Sequence, residues 1–196
     1  MLVLASASES RTRMLRNAGV DVIADPAAVD EATVRDRMLV DGASAAQIAG
    51  GLAIAKAQAV APRHWGHLVL GSDQILEHEG ALLSKAPDRT AARAQLQALR
   101  GSTHKLISAA AIVRDGSVIW QAVDEAVLTM RPFSDAFLDG YLEAAGDAVQ
   151  KSVGGYYLEG LGAQLFDKVD GDFFTVLGLP LLPVLAFLRL EGELAA

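Results

Sequence analysis

The segment that decides the fold is residues 2–15, which read LVLASASESRTRML. Its first four residues are apolar and predict a buried strand, and the serine-rich turn after them leads into a helix. Met14 and Leu15 are expected on the buried face of that helix, and Gly19 is expected to end it. A strand joined to a helix by a short turn is a building block of α/β folds.

Further helices are predicted from composition and capping signals. An alanine-rich run that starts at Ala45 predicts a helix reaching about Ala61 and stopping at Pro62. Asp88 is expected to cap a helix over residues 89–99. These segments lie between apolar runs that read as strands, so helices and strands alternate along the chain.

Two turn dipeptides predict hairpins. They are Glu79-Gly80 and Asp115-Gly116, and each lies between two apolar runs. Hairpins join antiparallel strands, whereas interleaved helices favour parallel pairs. We therefore predict an α/β fold with a mixed twisted sheet flanked by helices, in a single domain spanning residues 1–196.

Composition excludes several classes of protein. Of the 196 residues, 52% are hydrophobic and 21% are charged, which is enough apolar surface for a globular protein. A net charge of −7 argues against binding to DNA or RNA polymers, because that binding needs a basic surface. The absence of cysteine excludes disulfide bonds and thiolate metal sites and favours a reducing compartment, so we expect a cytoplasmic protein.

No segment predicts a signal peptide or a membrane anchor. The apolar residues at positions 1–5 are too few for a signal-peptide core. The apolar stretch over residues 177–190 is shorter than a membrane span and contains Pro180 and Pro183. We therefore expect no membrane partner.

Ser6 and Ser8 lie where the first predicted strand meets the first predicted helix. The N-terminus of a helix offers unpaired N–H groups and the positive end of its dipole to an anion. Arg11 shares a helix face with Met14 and Leu15, so it is expected to lean over the end of the strand and bind that anion. The alternative is that Ser8 caps the helix and Arg11 is a surface residue with a packed stem.

Asp73 is the carboxylate that most strongly indicates chemistry. In an alternating strand it shares the face of Val69, Gly71 and Ile75, where an unpaired charge is costly. A divalent cation bridging to phosphate oxygens would be a suitable partner, and so would a lysine. Glu31 is the second carboxylate expected at such a metal site. The alternative is that Asp73 accepts backbone hydrogen bonds in a Gly-Ser-Asp turn.

The lysines, histidines and aromatic residues fit ordinary roles when taken alone. Lys56 lies in the alanine-rich helix and Lys85 follows a predicted hairpin strand, and each fits a surface charge as well as a functional one. The histidines show no metal-ligand spacing and are expected on the surface or in loops. The histidines are His64, His67, His78 and His104, and the aromatic residues expected to pack in the core or in hairpins are Trp65, Trp120, Phe173 and Phe174.

Six short motifs occur in an order that resembles the Maf family of nucleoside triphosphate pyrophosphatases. Each motif is weak alone, but the series spans nearly the whole chain, which makes the resemblance specific. The motifs are Ala5-Ser6-Ala7-Ser8-Glu9-Ser10-Arg11, Val29-Asp30-Glu31, Ala55-Lys56-Ala57, Gly71-Ser72-Asp73, Ser84-Lys85-Ala86 and Gly178-Leu179-Pro180.

The resemblance implies an enzyme that splits nucleoside triphosphates between the α and β phosphates and releases pyrophosphate, in the house-cleaning of modified or unwanted nucleotides. It implies a fold similar to the inosine triphosphate pyrophosphatases, with two lobes around a cleft, dependence on Mg²⁺ or Mn²⁺, and a homodimer. An alternative, connected with the family's association with septum formation, is a nucleotide-binding regulator with little turnover.

The resemblance also implies roles for individual residues by matching position. Glu31 and Asp73 would bind the metal and the attacking water, and Asp73 would accept a proton from that water. Lys85 is expected to be catalytic together with these two carboxylates. The residues expected to hold the triphosphate are Ser6, Ser8, Arg11, Lys56 and Lys85.

Two motifs resemble the subgroup of this family that acts on 7-methyl-GTP more than the subgroup that acts on dTTP and UTP. They are residues 71–74, which read GSDQ, and residues 158–160, which read LEG. Ser152 also stands where the dTTP and UTP subgroup carries lysine. Glu159 is expected to bind the base, because a carboxylate can accept hydrogen bonds from guanine N1–H and N2–H₂.

The first motif departs from the family pattern at three positions. Glu9 replaces the usual proline, Ser10 replaces an arginine or tryptophan, and Thr12 stands where arginine is common. The phosphate site would then have one cation fewer and a negative charge beside it. Arg13, one residue beyond Thr12, is expected to compensate and bind substrate.

Overall fold

A computed structural model describes residues 1–195. These residues divide into two compact units. The first unit consists of Met1–Gln74, Ile107–Asp124 and the chain from Asp172 onward, and the second consists of Ile75–Leu106 and Glu125–Gly171. That the chain acts as one domain with two lobes around a cleft stays a prediction.

Strands and helices alternate along the described residues. The strands are β1 (Leu2–Leu4), β2 (Val22–Ala24), β3 (Leu68–His78), β4 (Ala81–Leu83), β5 (Thr103–Arg114), β6 (Ser117–Met130) and β7 (Phe166–Asp170). The α-helices are α1 (Glu9–Asn17), α2 (Glu31–Val40), α3 (Ala45–Val60), α4 (Arg89–Leu99), α5 (Asp135–Ala145), α6 (Phe173–Val176) and α7 (Leu181–Leu190). Short 3₁₀ helices cover Ala61–Arg63, Gly146–Gln150, Val153–Gly155 and Leu161–Leu165.

The strands form a mixed sheet, as predicted. β1 pairs in parallel with β2 and β3, whereas β3 pairs antiparallel with β4, and β6 with β7. Neighbouring strands follow the order β2-β1-β3-β5-β6-β7, and β4 lies beside β3. Both predicted turns are present, with φ of 51° at Glu79 and Asp115 and 80° at the glycines after them. Two positive φ values in a row define the hairpin turn that such dipeptides favour.

Helices cover both faces of strand β1 in the first unit. Leu2 and Leu4 belong to an apolar cluster that includes Leu15 of α1 and residues of α7. Val3 and Ala5 belong to a separate cluster with residues of α3. Alternate residues of a strand point to opposite faces, so a strand covered on both faces is apolar throughout. The buried strand predicted for residues 2–5 is confirmed.

Capping residues set the ends of several helices. Asp88 accepts a hydrogen bond from the backbone N of Ala91 at 2.8 Å and so starts α4. Ser44 and Gln47 form a capping box at the start of α3. Gly19, with φ of 79°, follows the end of α1. The predicted end of α1 and the predicted bounds of α3 and α4 are confirmed to within two residues.

The second unit contains a buried histidine on β5. His104 is 1% exposed, and its Nε2 lies 2.6 Å from the hydroxyl of Tyr156, whose ring meets the edge of Phe166. The expectation that all the histidines lie on the surface or in loops is therefore wrong for His104. Burial lowers the pKa of His104 to about 4, so its imidazole is neutral near pH 7 and is tolerated among aromatic rings.

The expected packing of the large aromatic residues holds only in part. The ring of Trp120 stacks on Phe187 with centroids 5.3 Å apart, which confirms its packing role. Trp65 is 74% exposed and Phe173 is 50% exposed, so the expectation is wrong for both. Phe173 is the first residue of the four-residue helix α6 and Trp65 lies in the turn after the helix Ala61–Arg63, and neither segment has a periodic apolar pattern that would report burial.

Candidate active site

Ser8 and Ser6 organise the turn between β1 and α1. The Oγ of Ser8 accepts a hydrogen bond from the backbone N of Arg11 at 3.3 Å and caps α1. Ser6 is buried, and its Oγ accepts from the backbone N of Ser8 at 3.2 Å and from the Arg11 guanidinium at 3.3 Å. The capping role that we considered for Ser8 is therefore confirmed, and the two serines hold the start of the helix in place.

Arg11 is anchored inside the first unit rather than lying along its surface. Its Nε donates to the carbonyl of Gly178 at 2.7 Å, and its Nη1 donates to the carbonyl of Ser72 at 3.1 Å. Desolvation lowers the pKa of the guanidinium, and the charges of Asp73 and Glu31 act in the opposite direction. Arg11 thus joins the β1–α1 turn to the segment of β3 that carries Asp73.

Lys56 contacts the two carboxylates that the sequence singled out. Its Nζ lies 2.6 Å from Oδ1 of Asp73 and 2.9 Å from Oε1 of Glu31. The side chains of Lys56 and Asp73 are only 10% and 9% exposed, whereas that of Glu31 is 53% exposed. Of the two partners expected for Asp73, the structure contains the lysine. Lys56 itself is buried, so the alternative that it is an ordinary surface charge is wrong.

Close packing of α3 on β3 accounts for the position of Lys56. A Cβ at Gly71 would lie 2.0 Å from the carbonyl oxygen of Ala53 and 2.8 Å from the backbone N of Ala57. Only glycine permits such an approach of helix to strand. Because residues 71 and 73 share a strand face, the same approach places the helix over Asp73.

The start of α2 places the second carboxylate. Asp30 caps this helix by accepting a hydrogen bond from the backbone N of Thr33 at 3.0 Å. Glu31 is therefore the first residue of the helix, where the positive end of the helix dipole favours a carboxylate. From there the carboxylate of Glu31 reaches Lys56.

The sequence did not reveal a buried polar network beside Asp73. Gln74 donates from Nε2 to the carbonyls of Thr175 and Val176 at 3.1 and 3.0 Å, and Ser72 donates to the carbonyl of Gly178 at 3.1 Å. Ser108 donates to the carbonyl of Thr175 at 2.8 Å. The residues on both sides of Asp73 thus fix the segment from 175 to 178. The feature of the sequence that could have indicated this network is a serine inside each of two apolar strands, Ser72 in β3 and Ser108 in β5.

The other three predicted site residues lie at exposed positions. Arg13 is exposed on α1 two residues beyond Arg11, a spacing that does not place two side chains on one helix face. Lys85 is exposed between β4 and α4, and Glu159 is exposed between two 3₁₀ helices, both in the second unit. Their roles stay predictions.

The donor set at Asp73 fits one kind of metal site. Within residues 1–195, no group of three or more histidine, cysteine or acidic side chains is placed to hold a metal ion. Mg²⁺ in nucleotide enzymes commonly binds through one or two carboxylates, several waters and the substrate phosphates. Glu31 and Asp73 supply two carboxylates on one ammonium, so they fit a cation that arrives with phosphate.

No helix in the same residues is long and apolar enough to span a membrane.

Known proteins match this chain over nearly its whole length. The family model described as Maf-like protein matches residues 1–191. A nucleoside triphosphate pyrophosphatase of Paramagnetospirillum magneticum is 54% identical over 192 residues, which cover 98% of this chain and 99% of that relative. Relatives with the same name from Granulibacter bethesdensis and Caulobacter vibrioides are each 49% identical, over 96% and 98% of this chain and 95% and 96% of their own length.

Proposed function

The chain belongs to the Maf family, and from this premise we propose that it hydrolyses nucleoside triphosphates to nucleoside monophosphates and pyrophosphate. Relatives that share its full length carry the name of this hydrolase. The observation that carries the proposal is that the buried Lys56–Asp73 pair lies beside the β1–α1 turn and Arg11. Arg11 connects the two, because it donates to the carbonyl of the residue before Asp73.

The β1–α1 turn is the proposed phosphate-binding element. The first N–H groups of α1 and the positive end of its dipole favour an anion there. Arg11 adds a guanidinium whose hydrogen bonds to other described residues come from Nε and Nη1, so its Nη2 can donate to an anion. We assign Ser6, Ser8 and Arg11 to the triphosphate, together with Lys56.

Asp73 is the proposed proton acceptor. Water attacks the phosphoanhydride linkage between the α and β phosphates, the P–O bond of that linkage breaks, and pyrophosphate leaves. The proton released from the water passes to the carboxylate of Asp73, and the cations at Lys56 and Arg11 neutralise charge that develops on the leaving phosphates. The products are the nucleoside monophosphate and pyrophosphate. The water oxygen ends in one of them, and the released proton is on the carboxylate of Asp73.

Glu31 and Asp73 are the residues that would hold a divalent cation, which we propose to be Mg²⁺ or Mn²⁺. When bound, the cation would supply further neutralisation of charge on the phosphate oxygens. The exposure of Glu31 fits a ligand that must change partners when substrate arrives. Lys85, which follows β4, is proposed as a further catalytic residue and Arg13 as a further phosphate contact from their motif positions.

The proposed substrates are modified or non-standard nucleotides, with 7-methyl-GTP as the leading candidate, in a house-cleaning role. Residues 71–74 and 158–160 support this preference by their resemblance, and the carboxylate of Glu159 suits the donors of guanine. Gln74 stands where the dTTP and UTP subgroup usually carries threonine, and its amide donates to two backbone carbonyls. We further propose a cytoplasmic homodimer.

Pyrophosphate release from a panel of canonical and 7-methylated triphosphates, with Mg²⁺ or Mn²⁺, tests the proposal. Asp73→Asn is expected to lower kcat by about 10²-fold to 10⁴-fold, the usual contribution of a proton acceptor. Asp170→Asn, at an exposed residue of β7 paired with Lys168, is the matched control and is expected to retain activity.

Each alternative has a distinct result in the same assay. Release of orthophosphate would show that another bond breaks, and binding without release would favour the regulator of septum formation. Faster hydrolysis of dTTP or UTP than of 7-methyl-GTP would refute the base preference. Full activity of Asp73→Asn would refute the assignment of the proton acceptor.

A further inference from the structure

One ammonium group contacts both proposed metal ligands. Nζ of Lys56 lies 2.6 Å from Asp73 Oδ1 and 2.9 Å from Glu31 Oε1. These carboxylates are the residues that would hold the divalent cation. The lysine therefore already uses one oxygen of each carboxylate that the cation needs.

Packing keeps the ammonium in this position. α3 lies so close to β3 that a Cβ at Gly71 would overlap the carbonyl of Ala53. Ala53 precedes Lys56 by about one helical turn, and Gly71 lies two residues before Asp73 on the same strand face. The stem of Lys56 is buried along this contact, which leaves the ammonium next to Asp73 rather than in bulk water.

Electrostatics oppose entry of a divalent cation into this arrangement. To bind both carboxylates, the cation must displace Lys56 or lie close to it, where two positive charges repel each other. A displaced Lys56 would be a buried ammonium without a carboxylate partner, which is an unfavourable state. A triphosphate relieves the conflict, because its oxygens offer the ammonium a new anionic partner.

We propose that Lys56 substitutes for the divalent cation in the nucleotide-free protein and passes to the triphosphate when nucleotide and cation enter together. The protein alone then binds divalent cations weakly, and cation and nucleotide bind with positive coupling. The transfer to nucleotide rests on the proposed function, whereas the weak binding of cation follows from the ion pairs alone.

Titration of the nucleotide-free, full-length protein with Mn²⁺, followed by the electron paramagnetic resonance signal of free Mn²⁺, tests the inference. Lys56→Met removes the ammonium and keeps the length of the stem. We expect it to bind Mn²⁺ about tenfold more tightly than wild type, or better, because competition by a cation is lost. Adding Asp73→Asn to Lys56→Met is expected to abolish the gain, which would locate the bound ion.

Lys168→Met is the matched control, because Lys168 is an exposed lysine paired with a carboxylate at 3.0 Å. It is expected to leave Mn²⁺ affinity unchanged. The comparison separates competition between Lys56 and Mn²⁺ for the same carboxylates from the loss of one positive charge anywhere on the protein. Mn²⁺ affinity of Lys56→Met equal to or weaker than that of wild type would overturn the proposal. Equal gains in both lysine variants would overturn it as well.

The wild-type protein provides a second measurement that does not depend on folding of the variant. Saturation with α,β-methylene-GTP is expected to tighten Mn²⁺ binding about tenfold beyond that of the analogue alone in solution, as positive coupling requires. Tight binding of Mn²⁺ to the nucleotide-free wild type would overturn the proposal. None of these titrations involves turnover, so absence of pyrophosphate release would refute the proposed function while the titrations still decide the role of Lys56.

Discussion

Two ion clusters in the first unit have opposite compositions. In one, the single ammonium of Lys56 contacts the carboxylates of Asp73 and Glu31. In the other, the single carboxylate of Asp25 contacts the guanidinium of Arg63 at 2.9 Å and the imidazole of His64 at 2.7 Å. In the first cluster two carboxylates share one ammonium, and in the second one carboxylate contacts a guanidinium and an imidazole.

Burial and location differ between the clusters as well. The side chains of Lys56 and Asp73 are about one-tenth exposed, whereas those of Asp25 and Arg63 are 28% and 49% exposed. The Asp25 cluster joins the residue after β2 to the short helix after α3, which is a structural task. A buried ion pair is weak evidence for stability, and a second carboxylate that is 53% exposed beside it suits the binding of a cation that enters from solvent. We infer that the buried cluster serves chemistry and the exposed one serves the fold.

The largest expected effect on stability comes from breaking the buried cluster. Lys56→Met leaves Asp73 buried beside an apolar side chain and is expected to cost about 3 kcal/mol of unfolding free energy or more, as removal of one partner of a buried pair does. Replacing both residues, as Lys56→Met with Asp73→Met, is expected to recover most of that loss while turnover stays absent. Urea unfolding measures both values.

The exposed lysine of the second unit provides the comparison for that experiment. Lys168→Met removes an ion pair whose side chains are about two-thirds exposed, and it is expected to change the unfolding free energy little. If Lys56→Met were no more destabilising than Lys168→Met, burial of the Lys56 cluster would not be the source of its strength. The contrast between the two clusters would then fail.

A smaller effect is expected from the packing that holds Lys56 over Asp73. Gly71→Ala would force α3 away from β3, because the added Cβ meets backbone atoms of Ala53 that cannot rotate away. We expect a loss of about 1–3 kcal/mol, as for an overpacked core, together with lower turnover. Urea unfolding and pyrophosphate release measure the two effects.

Gly140→Ala is the matched control for that substitution. Gly140 lies within α5, and a Cβ there meets no atom within 4 Å. Because alanine favours helix more than glycine does, this variant is expected to be as stable as wild type or more stable. Equal destabilisation at both positions would show that the close approach at Gly71 carries no special strain.

Local signals in the sequence were sufficient for much of the fold. The apolar run of β1, the capping Asp88 and the two turn dipeptides each act over a few residues, and each is observed. Helix α2 was not predicted, because none of its residues is buried and its sequence shows no apolar face. Strand β7 was also missed, since its residues are largely exposed and it is defined by pairing with β6.

The candidate site shows the same division between local and distant causes. The cost of an unpaired Asp73 in a strand correctly indicated a lysine or a cation as partner, but not which lysine. The choice of Lys56 depends on the close approach at Gly71, and Arg11 binds a carbonyl 167 positions away in the chain. Contacts of this kind arise from tertiary packing, so no local pattern reports them.

The smallest expected effect concerns the exposed cluster and depends on pH. Hydrogen bonds from Arg63 and then from His64 lower the pKa of Asp25 from 3.8 to about 2. A carboxylate with a lowered pKa stabilises the folded protein when ionised, so its contribution is present above about pH 4 and is lost as pH falls towards 2. Arg63→Ala removes the main cause and is expected to raise the pKa of Asp25 towards its usual value.

Carboxylate carbon chemical shifts measured against pH report the pKa of Asp25 directly. In Arg63→Ala the midpoint is expected to move upward, and the part of the acid destabilisation between pH 4 and 2 that depends on Asp25 is expected to shrink. Arg16→Ala, at an exposed arginine of α1, is expected to leave both unchanged. Pyrophosphate release at pH 7 is expected to be the same in all three proteins. A large loss of activity in Arg63→Ala would show that the exposed cluster also serves the chemistry.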